Sequence, residues 1–210
     1  MTEHAADQNI TTIDRVRRAL ATGVAGDFGD HELNPDLAAI SRAQPLKPAA
    51  VLVPIIDHPG GPTVLMTVRS AHLNSHAGQI AFPGGKIDAE DASVEAAAQR
   101  EATEEVGLPA SYVENLGRLG VYKSFSGFEI TPVVARIEPG FDLQLNPSEV
   151  DEVFEVPYDF VMNRQNHQLF EREWRGKVRQ TRAVPYGRFN IWGVTASILH
   201  HMSLVLHPDD

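Results

Sequence analysis

The stretch FPGGKIDAEDASVEAAAQREATEEVGL, from Phe82 to Leu108, decides the fold of this chain. It begins with a proline and two glycines, which favour a tight turn and let the backbone approach a ligand closely. Asp91 or Ser93 is suited to cap a following helix, because a side-chain oxygen at that position accepts a bond from a free backbone N–H group. Residues 96–98 are alanines with high helix propensity, and Gly107 supplies a stop signal. The stretch therefore predicts a glycine turn that leads into a helix of about four turns.

Three glutamates of this predicted helix share one side. Glu101, Glu104 and Glu105 are three and four residues apart, so their side chains project in similar directions. Like charges at this spacing repel each other and destabilise an isolated helix. A divalent cation would remove the repulsion, and Mg²⁺ prefers hard oxygen ligands. The pattern alone is compatible with a solvated acidic face or with a metal site, and the neighbouring residues favour the metal site.

Those neighbours resemble the Nudix box. The box consists of a glycine, five residues, a glutamate, seven residues, and then Arg-Glu-apolar-x-Glu-Glu-x-Gly-apolar. Gly85 matches the first glycine, and the segment REATEEVGL from Arg100 to Leu108 matches the last nine positions. Two positions depart from the pattern: the middle acid is Asp91, and eight residues separate it from Arg100.

A second motif lies just upstream of the box. The segments LMTVRS (65–70) and GQIAFPGG (78–85) resemble the additional motif of the coenzyme A pyrophosphatase branch of Nudix enzymes. The inserted residue and the aspartate in the box are also similar to that branch. Asn74 stands where the branch motif has its second arginine, so a fixed cation and a bidentate phosphate donor are missing there.

The resemblance implies a fold and an activity. The implied fold is an α/β/α sandwich with a mixed, partly antiparallel sheet, and the implied reaction is attack of water on a pyrophosphate, assisted by Mg²⁺ or Mn²⁺. The branch motif implies coenzyme A or a derivative as substrate, with 4′-phosphopantetheine and adenosine 3′,5′-bisphosphate as products. ADP-ribose or another nucleoside diphosphate derivative is the alternative substrate. A nucleotide-binding module without turnover is the alternative class, and it would have no need for repelling carboxylates.

The resemblance also implies roles for residues of the box. Glu101 and Glu105 are the first expected metal ligands, Glu104 is the third, and the carbonyl oxygen of Gly85 is a fourth donor. The Arg100 side chain is rotated by about 100° from the metal-binding face, so it is expected to orient the carboxylates rather than to touch the substrate.

Residues outside the box are expected to select the substrate. Arg69, Lys86 and Lys123 are the nearest cations in the sequence, and they are candidates for phosphate binding. Phe125 and Phe128 flank a glycine in the loop KSFSGFEI, which is interpreted either as a packed hairpin loop or as a wall for a base or pantetheine arm.

Two segments of the C-terminal half resemble the same branch. In NPSEVDEVFEVP, Glu149 and Glu152 are candidates for an extra metal ligand or the general base, with capping and solvent exposure as the alternative. In PYGRFNIWGVTA, the turn is interpreted as structural, and Asn190 is expected to cap a final helix over Ile191–Leu206.

Composition limits the classes of partner. The net charge of −10 argues against general nucleic-acid binding, and the absence of cysteine excludes disulfides, thiolate catalysis and cysteine-based zinc sites. The sequence has no long apolar run, so neither a membrane span nor a signal peptide is predicted, and a cytoplasmic location is expected. The expected partner is a small nucleotide-like molecule, and a homodimer is left open.

The chain is expected to divide into an N-terminal helix and linker extension (1–47) and a Nudix hydrolase domain (48–210). Residues 1–8 are predicted to be disordered, a helix is predicted from Thr11 or Thr12, and the linker of residues 27–48 is assigned no chemistry. Strands are predicted over 49–56, 63–69, 113–122, 130–137, 153–156, 168–174 and 177–184, with a brief helix over 158–162.

Overall fold

Hydrophobic segments of the sequence form the strands and helices of the structure. The computed structural model describes residues 10–21, 26–38, 45–174 and 176–208. In chain order its elements are α1 (Thr12–Ala21), β1 (Phe28–Gly29), β2 (Lys47–Ile56), β3 (Thr63–Arg69), β4 (Ile80–Ala81), β5 (Gly84–Lys86), α2 (Val94–Val106), β6 (Val113–Arg118), β7 (Tyr122–Lys123), β8 (Phe128–Ile137), β9 (Val150–Pro157), α3 (Tyr158–Met162), β10 (Gln168–Trp174), β11 (Lys177–Tyr186), β12 (Phe189–Trp192) and α4 (Val194–Leu206).

The centre of the larger sheet is the parallel pair β2 and β8, which runs from Lys47 opposite Phe128 to Ile56 opposite Ile137. Both strands are nearly continuous apolar runs because helices cover the two faces of the sheet. The strand order is β1-β7-β8-β2-β3-β4, with β5 paired to β2, β6 to β8 and β9 to β3. Parallel and antiparallel pairs both occur, so the predicted α/β fold with a mixed sheet is confirmed.

Helix α2 packs on one face of this sheet, and α1 and α4 pack on the other. Small residues of α2, including Ala98 and Ala102, lie fully buried against Leu52 and Val133. On the opposite face, Ile13 and Val16 of α1 join the same hydrophobic cluster as residues of α4. Small side chains on α2 let the helix axis approach the sheet closely, which places its glutamate-bearing side next to β5.

Three strands, β10, β11 and β12, form a separate antiparallel sheet. The hairpin of β10 and β11 has the bounds predicted for Gln168–Trp174 and extends β11 to Tyr186. We call this three-stranded unit the small sheet. Its last strand, β12, contacts β4 of the larger sheet. The two sheets therefore meet beside residues 82–83, which connect β4 to β5.

Four sequence-based predictions about local structure were wrong. The single strand predicted over 113–122 is two strands, Val113–Arg118 and Tyr122–Lys123. The final helix begins at Val194 and not at Ile191, because Phe189–Trp192 pairs with β11 and Gly193 adopts a φ of 67° that breaks the run. Asn190 therefore lies in a strand opposite Pro185 and does not cap the helix. Gly84 and Gly85 belong to strand β5, paired with Val51 and Ala50, and do not form a free turn.

The N-terminal segment is packed on the larger sheet. Strand β1 pairs in parallel with β7, and Asp30 accepts hydrogen bonds from the Tyr122 hydroxyl and from the backbone N–H of Phe125. The disordered start predicted for residues 1–8 lies outside the described residues, and the domain boundary between residues 47 and 48 stays a prediction. None of the helices described here is both long and apolar enough to cross a membrane.

His200 of α4 and His167, which directly precedes β10, form a side-chain pair. His167 Nε2 donates to the carbonyl of Val161 at 2.8 Å, and His167 Nδ1 lies 3.1 Å from His200 Nδ1. A carbonyl only accepts, so neutral His167 has its proton on Nε2, and His200 donates to His167 Nδ1. Burial lowers the pKa of both imidazoles, and for His200 the value falls to about 4, with the positive charge of Arg182 as the next cause.

This pair predicts acid destabilisation. The unfolded chain protonates His200 near pH 6.5 whereas the folded protein resists until about pH 4, so the free energy of unfolding falls as the pH drops through that interval. We expect His200→Gln to flatten the decline by about 1–3 kcal/mol. Urea unfolding at several pH values measures this, with His72→Gln on an exposed loop as the control. Parallel pH profiles for wild type and His200→Gln would contradict the assignment.

Candidate active site

A cavity of about 650 Å³ lies between the larger sheet and the small sheet. Its lining combines three kinds of side chain: carboxylates from α2 and from the loop before β9, aromatic residues from the loop before β8, and arginines from the small sheet. The volume is within the usual range for a small-molecule site. The two carboxylates of α2 are placed at this cavity by the stretch Phe82–Leu108.

Local capping sets the ends of α2. The Ser93 hydroxyl accepts from the backbone N–H of Ala96 at 3.2 Å, and Gly107 adopts a left-handed φ of 70° while its N–H donates to Thr103 at 3.0 Å. These are the start and stop signals that the sequence predicted. Asp91, the other predicted cap, has a different role and binds Arg100.

Arg100 organises the carboxylates and lies outside the cavity lining. Its Nε and Nη2 donate to the two oxygens of Asp91 at 3.0 and 2.9 Å, and its Nη1 donates to Glu101 at 2.9 Å and to Glu104 at 3.2 Å. Nη2 also reaches the carbonyl oxygen of Lys86 at 3.1 Å. The bidentate contact with Asp91 fixes the guanidinium, and the guanidinium in turn fixes the Glu101 carboxylate. This is the orienting position predicted for Arg100.

Glu101 and Glu105 line the cavity and are poorly solvated. Glu105 is 2% exposed, accepts from the backbone N–H of Gly84 at 3.1 Å and lies 3.7 Å from Arg69 Nη1. Burial raises the pKa of Glu105 to about 7, against the opposing effects of Gly84 and Arg69, and burial is also the main cause that raises the pKa of Glu101. Both carboxylates would be more stable as anions beside a cation.

The two glycines of β5 are required for different reasons. A Cβ on Gly85 would lie 2.5 Å from the carboxylate of Glu101, so its absence makes room for that side chain. A Cβ on Gly84 would lie 2.4 Å from the carbonyl oxygen of Ala50, so its absence lets β5 pair with β2.

The other predicted acids are not all at the cavity. Glu149 lines it and accepts a hydrogen bond from the Asn146 side chain at 3.0 Å. Glu104 is exposed, is absent from the lining, and contacts Arg100. Glu152 lies on β9 and forms an ion pair with Arg188 away from the cavity.

The acids of the cavity are the residues that would hold the expected divalent cation. Within the described ranges, no three or more His, Asp or Glu side chains are arranged to hold a metal ion as they stand. The acids are instead directed to protein donors, Glu101 to Arg100 and Glu105 to Gly84. Their chemistry nevertheless fits Mg²⁺ or Mn²⁺, since Glu101, Glu105 and Glu149 supply hard oxygens to one cavity and burial penalises their uncompensated charge.

The predicted substrate-binding residues are divided by the structure. Arg69, Lys86, Phe125 and Phe128 all line the cavity. Lys123 is absent from the lining and forms an ion pair with Asp27 at 2.6 Å.

The sequence analysis missed other residues of the cavity lining. Asp30 and Asn34 come from the linker that was assigned no chemistry, and Arg172, Arg179 and Trp192 come from the small sheet. The linker carries no local signal for this placement. The predicted strands 168–174 and 177–184 did carry one, because pairing them as a hairpin brings Arg172 opposite Arg179.

The two glycines give a paired prediction. Gly85→Ala should displace Glu101 and lower turnover by about tenfold or more, with a melting temperature close to wild type. Gly84→Ala should instead lower the melting temperature, because the added methyl meets backbone in the partner strand. Steady-state kinetics and thermal melts of both variants measure the contrast. A Gly85→Ala enzyme with wild-type turnover would show that Glu101 does not need its position.

Comparison with known proteins places this chain among Nudix proteins. The family model of the NUDIX domain matches residues 46–176. NudL of Photorhabdus laumondii, described as an uncharacterized Nudix hydrolase, is 44% identical over 155 residues, which are 74% of this chain and 82% of that protein. NudL of Escherichia coli O1:K1 / APEC is 40% identical over 176 residues, 79% of this chain and 91% of that protein. Among solved structures, the Nudix hydrolase RenU of M. smegmatis is 27% identical, covering 55% of this chain and 73% of RenU, with a TM-score of 0.43.

Proposed function

The chain belongs to the Nudix family and is a Nudix pyrophosphohydrolase, and within that family we propose that it hydrolyses the pyrophosphate bond of coenzyme A or a derivative. The products would be 4′-phosphopantetheine and adenosine 3′,5′-bisphosphate. The proposal rests first on the segments LMTVRS and GQIAFPGG, which resemble the coenzyme A pyrophosphatase branch.

The observation that carries the proposal is the distribution of side chains around the cavity. Glu101, Glu105 and Glu149 supply an acidic wall, while Phe125 and Phe128 supply apolar surface in the same cavity. Such a cavity has an acidic end suited to a pyrophosphate with its cation and a less polar wall suited to a neutral, extended arm.

The residues act as follows in the proposed reaction. Glu101 and Glu105 would hold Mg²⁺ or Mn²⁺, which when bound neutralises phosphate oxygens and activates water. Arg100 and Asp91 keep Glu101 oriented, and the N–H of Gly84 keeps Glu105 oriented. Glu149, with one oxygen held by the Asn146 amide, is the candidate to accept a proton from the attacking water.

Arg69 has the position to bind a phosphate oxygen. It lines the cavity, and its guanidinium lies 3.7 Å from Glu105 Oε1, too far for a normal hydrogen bond. Its Nε is buried and makes no hydrogen bond to any described residue. Part of the Arg69 side chain is exposed at the cavity, and in the proposed complex its Nη groups, not the buried Nε, donate to an anionic oxygen there.

One observation favours a second class of substrate. Asn74 replaces the second arginine of the branch motif, lies on an exposed loop, and is absent from the cavity lining. ADP-ribose or another nucleoside diphosphate derivative is therefore the alternative substrate. A binding module without turnover is the less favoured alternative, because binding alone gives no reason to bury Glu105 beside two other cavity carboxylates.

Removing one carboxylate tests the chemistry. We expect Glu105→Gln to lower turnover by about a hundredfold or more at saturating Mg²⁺, because the charged ligand is lost. The amide oxygen can still accept from Gly84, so the metal-free variant should be as stable as wild type or slightly more stable at neutral pH. Kinetics and chemical unfolding measure the two effects. Near-wild-type turnover would exclude Glu105 as a ligand.

A substrate panel tests the proposed substrate. We expect coenzyme A to give a higher kcat/KM than 3′-dephospho-coenzyme A, and the latter to exceed ADP-ribose, because the protein reads the 3′-phosphate and the arm separately. Added salt should narrow the first gap more than the second, since only the first is a charge effect. If ADP-ribose is the best of the three, the coenzyme A proposal fails and the broader Nudix hydrolase activity stands.

A further inference from the structure

The inner face of the small sheet presents two arginines to the cavity. Arg172 of β10 lies directly opposite Arg179 of β11, and both side chains line the cavity. Like charges directly opposite each other in an antiparallel pair are destabilising. The arrangement therefore needs negative charge nearby.

The N-terminal segment supplies that charge to one of the two arginines. Asp36 accepts from Arg179 Nη1 at 2.8 Å and from Arg179 Nη2 at 3.0 Å, a bidentate pair. The same carboxylate also lies 3.3 Å from Lys177 Nζ. One carboxylate thus serves two cations, and Arg179 is fixed in place by it.

Arg172 is held in a different way. Its guanidinium carbon lies 4.9 Å from the centre of the Trp192 ring, a cation–π contact. Phe170 also packs edge-on with Trp192, with ring centres 6.4 Å apart. Among the residues the structure describes, Arg172 forms no ion pair with a carboxylate, so the N–H groups at the edge of the stacked guanidinium are available to a ligand.

We propose that Arg172, held by Trp192, binds a terminal phosphate monoester of the substrate in the cavity that the carboxylates of α2 also line. The proposal rests on the proposed function. Coenzyme A carries such a phosphate in addition to its pyrophosphate, and ADP-ribose does not. A planar guanidinium with free N–H groups matches phosphate oxygens in pairs, and the anion offsets the repulsion between Arg172 and Arg179.

Two other cations that the sequence suggested are less suited to this task. Arg69 lies against Glu105 and therefore belongs to the pyrophosphate end. Lys123 is paired with Asp27 and lies outside the cavity lining. Arg188 provides a matched control. Its guanidinium carbon lies 4.5 Å from the centre of the Phe189 ring, as Arg172 lies over Trp192. Arg188 differs from Arg172 because it pairs with Glu152 and does not line the cavity.

Calorimetric titration of the full chain in Mg²⁺ with two probes tests the proposal. The probes are adenosine 3′,5′-bisphosphate and adenosine 5′-monophosphate, which differ in the 3′-phosphate. Arg172→Ala should weaken binding of the bisphosphate by about tenfold and of the monophosphate by about twofold at most. Arg172→Lys should fall between, and Arg188→Ala should leave both affinities at wild-type values. Raising the salt should reduce the preference for the bisphosphate in wild type but not in Arg172→Ala.

Several results would overturn the proposal. Equal weakening of both probes would place Arg172 at a group common to both, and unchanged binding of both would make the stack on Trp192 purely structural. Thermal melts of Arg172→Ala and Arg188→Ala separate loss of the site from loss of the fold. A wild-type enzyme that cleaves coenzyme A best, together with an Arg172→Ala variant that keeps the bisphosphate preference, overturns this inference alone. A wild-type enzyme that prefers ADP-ribose overturns the proposed function, whatever the two variants show.

Discussion

The burial of the Glu105 carboxylate is the constraint on which the rest of the site depends. A carboxylate that is 2% exposed and shares a cavity with Glu101 and Glu149 is unfavourable as an anion. The surrounding structure reduces this penalty with the N–H of Gly84 and the guanidinium of Arg69. The remaining penalty is what a divalent cation at the proposed site would remove.

The same cavity carries charges of both signs. Carboxylates of α2 line it, and so do Arg69 of β3 and Arg172 and Arg179 of the small sheet. A chain of net charge −10 can therefore hold an anionic substrate, because the field inside a cavity is set by the nearest groups. The N-terminal segment contributes to this arrangement, since Asp36 fixes Arg179 and Asp30 fixes the loop that contains Phe125.

Sequence reasoning succeeded where the determinants were local. The caps of α2 at Ser93 and Gly107 and the strand Thr63–Arg69 depend on neighbouring residues and on apolar patterning, so they were predicted correctly. It failed at Ile191, because a short apolar segment fits a strand as well as a helix and only the pairing with β11 decides. Asp30 and Arg172 could not be assigned to the cavity, since their positions depend on tertiary contacts between segments distant in the chain. The identity of the substrate is harder still to predict from the sequence, because residues of the Nudix box would act on any pyrophosphate.

Manganese binding tests most directly whether the buried carboxylates form a metal site. Electron paramagnetic resonance reports free Mn²⁺ in a titration, and wild type should bind the ion whereas Glu101→Gln and Glu105→Gln should each weaken binding by about tenfold or more. Glu104→Gln serves as the comparison, because that side chain is exposed and outside the cavity lining. The account predicts that Glu104→Gln loses less affinity than Glu105→Gln. Wild-type Mn²⁺ affinity in both Glu101→Gln and Glu105→Gln would contradict it.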